Sequence, residues 1–139
     1  MHQQAFTQQE TTKIYLIRHA EKDTTIKQDP PLTPQGIARS ESLASILKDV
    51  PVDQLFSSKA LRAKQTLMPL SISKGLSIEI YDTRDTASME KLFNLIRFKT
   101  SVIAGHSNTI PEIVNSLIGK EIYPELDEHR VNRVVESVV

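Results

Sequence analysis

The chain has 139 residues, 39% apolar and 24% charged, which suits one soluble globular domain with a core of its own. Lys plus Arg and Asp plus Glu balance at 17 each, so no overall field would draw nucleic acid or an anionic membrane surface. Without cysteine there are no disulfides, thiolate catalysis or cysteine-held zinc, and no apolar run reaches the roughly 18 residues of a membrane helix.

Residues 1–12 are polar and rich in Gln and Thr, and read as a flexible leader before a single domain over 13–139. They lack the apolar stretch of a signal peptide. Cytoplasm is therefore the expected location, with export left open should a signal have been removed. The run Ile14-Tyr15-Leu16-Ile17 is apolar on both faces, as a strand between two helical layers must be. Residues 23–32 are polar and contain Pro30-Pro31, which predicts a loop. Thr33-Pro34 predicts a helix start, with Thr as cap and Pro in the first turn. That helix is expected to bury Ile37, Leu43, Ile46 and Leu47 and to stop before Pro51.

Residues 55–58 form a short second strand, followed by a helix over 60–67 that ends near Pro69. Alternation over 77–81 predicts a third strand, and Met89, Leu92, Phe93 and Ile96 lie at helical spacing within 87–98. Residues 101–104 make a fourth strand, closed by Gly105-His106. A last helix spans 109–118, with Gly119 as terminator, and residues 133–139 could add a strand. Alternating strands and helices predict an α/β fold, a three-layer α/β/α sandwich with a mostly parallel central sheet. In such sheets ligands bind beyond the carboxyl ends of the strands.

Three segments end there: Arg18-His19, Ser57-Ser58 shortly before Arg62, and Gly105-His106. Imidazole can act as nucleophile, acid–base group or metal ligand. A guanidinium presents planar paired donors to phosphate or carboxylate. Arg18, Arg62, His19 and His106 at a common sheet edge would make an oxyanion pocket, which phosphate suits best. Taken singly, each has a plainer role as a packing residue, an ion-pair partner or a solvated helix residue. Metal binding is the chemical competitor, with His19, Glu21, Asp23 and His106 of suitable type. The chain has no paired HExxH-like spacing, however, and two nearby guanidiniums would repel a cation. No metal or other cofactor is expected. His129, in a charged run, and His2, in the leader, are given no role.

The sequence also resembles the histidine phosphatase superfamily, which includes phosphoglycerate mutases and compact phosphohistidine phosphatases. The resemblance rests on four ordered motifs: Leu16-Ile17-Arg18-His19-Ala20-Glu21-Lys22, Leu32-Thr33-Pro34-Gln35-Gly36, Ser57-Ser58-Lys59-Ala60-Leu61-Arg62-Ala63-Lys64-Gln65-Thr66, and Gly105-His106-Ser107-Asn108-Thr109. It implies that His19 is the nucleophile that forms a phosphohistidine, which water then hydrolyses. Arg18, Arg62 and His106 would hold the non-bridging oxygens, with Asn108, ahead of Ser107, as a further donor. Thr33, Gly36, Gln65 and Thr66 match too, with structural work as their expected role.

Larger members of the family carry an acid after the third strand, and here Asp82 or Asp85 could serve. Asp85 or Thr86 could equally cap the following helix, and Glu90 lies further along. The chain lacks the inserts a mutase would need, so the resemblance implies a metal-independent phosphatase of compact type. Its substrate would be a phosphorylated small molecule or phosphoprotein, without nucleic-acid or membrane partners. The alternatives are a non-catalytic phosphate-binding module and a phosphoglycerate mutase-like phosphotransferase.

Overall fold

A computed structural model describes residues 11–20, 22–107, 109 and 112–115. The leader over 1–10, Glu21, Asn108, the end of the last predicted helix, Gly119, His129 and the predicted strand over 133–139 lie outside the described residues. Thr12, assigned to the leader by sequence, belongs to the packed body: it is buried, and its hydroxyl accepts the Phe98 N–H at 2.8 Å.

Four strands, β1 (Lys13–Arg18), β2 (Gln54–Ser57), β3 (Ile78–Ile80) and β4 (Thr100–Gly105), alternate with helices α1 (Pro34–Ile46), α2 (Leu61–Lys74) and α3 (Thr86–Ile96). The sheet runs β1-β4-β2-β3 and every pairing is parallel. Parallel strands need crossovers, and crossovers are right-handed. The chain steps the same way across the sheet through α1 and α2, which therefore share a face. It reverses through α3, which must lie on the other.

The core confirms this division. Ile17, Leu55, Val102 and Ala104 point to one side, where they meet Leu43 and Leu47 from the α1 region and Ala63, Leu67 and Leu70 of α2. Their strand neighbours Ile14, Leu16, Phe56 and Ile103 point to the other, against Leu92, Phe93 and Ile96 of α3 and Ile113. Each strand thus supplies both layers by alternation, which is why β1 and β4 read as unbroken apolar runs. The architecture is the expected α/β/α sandwich. No helix among the described residues is long and apolar enough to cross a membrane.

The first helix departs from expectation in its buried face. Gly36, Ser40, Leu43 and Leu47 are buried, whereas Ile37 and Ile46 are 45% and 59% exposed. Spacing of three and four residues puts 36, 40, 43 and 47 on one stripe. Ile37 and Ile46 fall off that stripe, one residue away from buried neighbours. Thr33 caps the helix as predicted, its hydroxyl accepting Gly36 N–H at 3.0 Å.

The second helix corrects the sequence reading more deeply. Instead of ending near Pro69, α2 continues through it to Lys74 and stops at Gly75, whose left-handed φ of 66° closes the C-terminus. An interior proline costs about 3 kcal/mol. Leu67 and Leu70, both fully buried on either side of it, offset that at about 1.5–3 kcal/mol each. Packing overrides the local breaker.

Replacing Leu67 with Ala removes one of these supports and leaves a cavity beneath the sheet. Urea unfolding should then show a loss of about 2–5 kcal/mol, whereas Ile72→Ala, at a 75% exposed position on the same helix, should stay within about 0.5 kcal/mol.

Candidate active site

The strand order places β4 between β1 and β2. The chain leaves β1 and β2 toward the α1/α2 face, but leaves β4 toward the face that holds Ile113. Connections diverging from neighbouring strand ends open a crevice, the usual ligand position in an open α/β sheet. His19 follows β1, Ser58 follows β2 and His106 follows β4, so all three stand at this crevice.

Hydrogen bonds lock the surrounding loops onto α2. Ala20 N–H donates to Thr66 Oγ1 at 3.0 Å, and that hydroxyl donates to the Arg62 carbonyl at 2.7 Å. Leu32 N–H donates to Gln65 Oε1 at 2.8 Å. Asp29, from the loop before α1, accepts the Leu61 N–H at 3.0 Å and so caps α2, whose own cap residue, Ala60, has no side-chain acceptor. The structural roles expected of Thr33, Gln65 and Thr66 are therefore the ones observed.

His19, Arg62 and His106 come together. The two imidazole centroids are 5.0 Å apart with the planes inclined at 61°. His19 Nδ1 lies 2.8 Å from the Ala20 carbonyl, which can only accept, so the proton is assigned to Nδ1. Nε2 is left with its lone pair and faces Arg62 Nε at 3.4 Å. Arg62 Nη2 lies 3.5 Å from His106 Nδ1, while Ser58 Oγ lies 2.8 Å from Nε2 of the same ring. Because guanidinium only donates, the resting tautomer of His106 carries its proton on Nε2 and gives it to Ser58. Both contacts of Arg62 are long for hydrogen bonds. They hold the guanidinium between the rings without saturating its donors.

Both histidines resist protonation. Burial lowers the pKa of His19 below the usual 6.5, and Arg62, Lys22 and Arg18 act the same way, against a smaller opposing effect of the Ala20 carbonyl. Burial, with Arg62 and His19 beside it, pushes His106 down to about 4. At neutral pH both imidazoles are therefore neutral, with the Arg62 guanidinium between them.

These groups open into a cavity of about 730 Å³ whose described lining also includes Lys22, Thr83, Arg84, Ser107, Thr109 and Glu112. A smaller recess of about 200 Å³ adjoins it and shares Arg62, Thr83, Arg84, His106 and Thr109. Lys22 is held there by a bridge of its backbone to Leu32. Thr109 braces the turn after β4, its hydroxyl accepting His106 N–H at 2.8 Å and its N–H reaching the His106 carbonyl at 3.1 Å. Tyr81, its phenol pushed further toward the protonated form by burial, donates to the Ala104 carbonyl at 2.8 Å and packs below the site.

The remaining expected residues are placed differently. Arg18 is exposed at the end of β1 and does not line the cavity, although its charge is felt at His19. Asp85 caps α3, accepting Ala87 N–H at 3.0 Å and Ser88 N–H at 3.3 Å, so the cap reading is the one observed. Asp82 borders only the smaller recess, where Lys59 lies at 3.4 Å and Arg84 at 3.8 Å. The Arg84 N–H bonded to it, together with Lys59, holds its carboxyl below the usual range. Glu90 is exposed on α3 and lines neither space.

Sequence reasoning gave no site role to Lys22, Ser58, Arg84 or Glu112. Lys22 and Ser58 carried a usable signal, since both sit in strand-end motifs. Glu112 follows His106 by six residues, and nothing in the sequence around it marks it as a wall of the cavity. Among the described residues, no three His, Asp or Glu side chains group as a metal site.

Known structures share this arrangement of elements. A protein assigned as the phosphohistidine phosphatase SixA of Agrobacterium tumefaciens is 25% identical, with a TM-score of 0.59 over 81% of this chain and 80% of its own. The protein histidine phosphatase SixA, solved with tungstate, is 21% identical with a TM-score of 0.60, covering 73% of each chain. An Escherichia coli protein assigned as an alpha-ribazole-5'-P phosphatase is 17% identical, with a TM-score of 0.64 over 82% of this chain and 84% of its own. No curated protein sequence matches the chain. The family model for the histidine phosphatase superfamily (branch 1) matches residues 14–89, which span the first two histidine- and arginine-bearing strand ends. The chain belongs to the histidine phosphatase superfamily.

Proposed function

We propose that the chain is a metal-independent phosphatase that hydrolyses phosphomonoesters or phosphohistidine through a phosphohistidine intermediate on His19. The observation that carries this reading is the orientation of that ring. Its Nδ1 proton is committed to the Ala20 carbonyl, which leaves an unprotonated Nε2 directed into a cavity beside Arg62. A nucleophile needs this tautomer before substrate arrives.

In the first step the Nε2 lone pair forms a bond to phosphorus as the bond to the leaving oxygen breaks. In the second, water adds to phosphorus, the P–N bond breaks, and phosphate departs. Charge on the three peripheral oxygens dominates the transition state, so fixed donors lower the barrier. Arg62 turns its donors from the rings to those oxygens. Arg18 and Asn108 are proposed as further donors, Arg18 after rotation of its exposed side chain.

His106 can donate without becoming a cation, because Ser58 works in either direction. When the Ser58 hydroxyl donates to Nε2, the ring proton moves to Nδ1 and faces the phosphoryl group. Its low proton affinity in the empty site supports this neutral role. The two similar SixA structures, one assigned as a phosphohistidine phosphatase and the other a protein histidine phosphatase complexed with tungstate, a phosphate-like oxyanion, support the substrate class.

With p-nitrophenyl phosphate in excess EDTA, His19→Ala should lower kcat by at least roughly 10³-fold and abolish an acid-labile, base-stable phosphoprotein in quenched reactions. Retained turnover with that intermediate still present would remove His19 from the role. Vanadate binding with no turnover of any phosphorylated substrate would favour a binding module instead.

Arg62→Ala should cost about 10²–10³-fold in kcat and weaken vanadate inhibition, and unaltered vanadate affinity would count against the clamp. The sign of the pH effect follows from His19. Only its neutral form attacks, and burial keeps it neutral, so the acid limb of kcat/KM should have its midpoint below the ordinary histidine value of 6.5. A midpoint above 6.5 would contradict the electrostatics of the empty site.

A further inference from the structure

We infer that Glu112 is the general acid of this phosphatase, giving its proton to the leaving oxygen and recovering one from the attacking water. The inference rests on the phosphatase reading above and adds what that reading lacks. An alkoxide is a poor leaving group, so hydrolysis of an alkyl phosphate needs a proton donor near the bond that breaks.

Among the described residues Glu112 is the carboxylate that lines the cavity shared by His19, Arg62 and His106. It lies among the helical residues 112–115, beyond the braced turn that fixes His106. That helix is anchored in turn by Ile113, which is fully buried in the α3-side core. Glu112 is therefore placed by a packed neighbour, and its exposed side chain is free to serve a substrate in the open cavity.

The other acids are committed. Asp85 accepts two backbone N–H groups as the α3 cap. Asp82 is engaged by Arg84 N–H and by Lys59, which favour its ionised form, a poor donor. His106 has no proton to spare either: one nitrogen faces Ser58 and the other faces Arg62. Ser107 and Thr109, also on the wall, carry hydroxyls too weakly acidic to protonate a departing alkoxide.

The proton inventory closes over the cycle. Glu112, protonated, gives its proton as the P–O bond breaks and His19 takes the phosphoryl group. As carboxylate it then removes a proton from water as oxygen bonds to phosphorus and the P–N bond breaks. Phosphate leaves and both residues return to their starting forms. The cavity, far larger than one phosphate needs, leaves room for an ester group on the carboxyl's side. Phosphomonoesters of ordinary alcohols thus fall within range, not only substrates with good leaving groups.

The test compares two substrates on Glu112→Gln, which keeps shape and removes the proton. Kcat/KM for an alkyl ester such as O-phosphoserine should fall by about 10²-fold or more, and for p-nitrophenyl phosphate by less than about tenfold. Equal losses on both substrates, no loss on either, or a wild-type enzyme inert toward every alkyl ester would each overturn the assignment. Vanadate inhibition of Glu112→Gln should match wild type, which checks that the pocket is intact. Failure of the phosphatase reading shows separately, as a wild-type protein that binds vanadate yet turns over no p-nitrophenyl phosphate, and failure of the His19 role as turnover that survives His19→Ala.

Discussion

A parallel sheet can be wound in one hand only, and nearly everything about this site follows from how the chain obeys that constraint. Two forward crossovers and one return put β4 between β1 and β2. The residues behind those three strands, distant in sequence, become neighbours at one edge. His19 and Arg62 are 43 residues apart along the chain and 3.4 Å apart in space. The handedness of the connections brings them to one edge, and the Ala20–Thr66–Arg62 hydrogen bonds hold them there.

Once gathered, these groups work because they are not all charged. Two imidazoles 5.0 Å apart beside a guanidinium would repel strongly if both were protonated. Burial and Arg62 keep them neutral, so the rings offer orientable N–H groups beside the guanidinium instead of further charge. The cations of the cavity are then Arg62, Lys22 and Arg84, with Glu112 as the carboxylate among the described residues. With Lys plus Arg and Asp plus Glu balanced at 17 each, attraction of an anion has to come from such local placement. Ser58 matters here because a hydroxyl can reverse its hydrogen bond, which lets His106 change tautomer at little cost.

Much of this was legible in the sequence, for identifiable reasons. Strands buried on both faces announce themselves as apolar runs, and the strand-end positions of His19, Ser58 and His106 follow from them. The Thr33 cap and the α3 face of Leu92, Phe93 and Ile96 are local patterns, and local patterns survive folding. What failed were inferences in which tertiary packing competes with a local signal. Pro69 reads as a terminator, yet buried leucines on both sides keep α2 helical through it. Ile37 and Ile46 read as core, yet the stripe through Gly36 and Leu43 faces inward instead. Asp85 could be an acid or a cap by residue type, and only its two backbone partners distinguish the roles. Glu112 was invisible because nothing in its own neighbourhood reports on a cavity built from other strands.

The loop after β1 is closed at its base. Asp23 N–H meets the Pro31 carbonyl at 2.7 Å, Lys22 bridges Leu32, and Gln65 of α2 grips the Leu32 N–H at 2.8 Å. The stretch between those ties hangs from a fixed clasp, and lengthening it costs entropy that grows only with the logarithm of its length. The clasp makes the intervening segment an exchangeable module. Apart from Asp29, which caps α2, evolution could lengthen, shorten or rewrite it while His19 and Arg62 stay where they are.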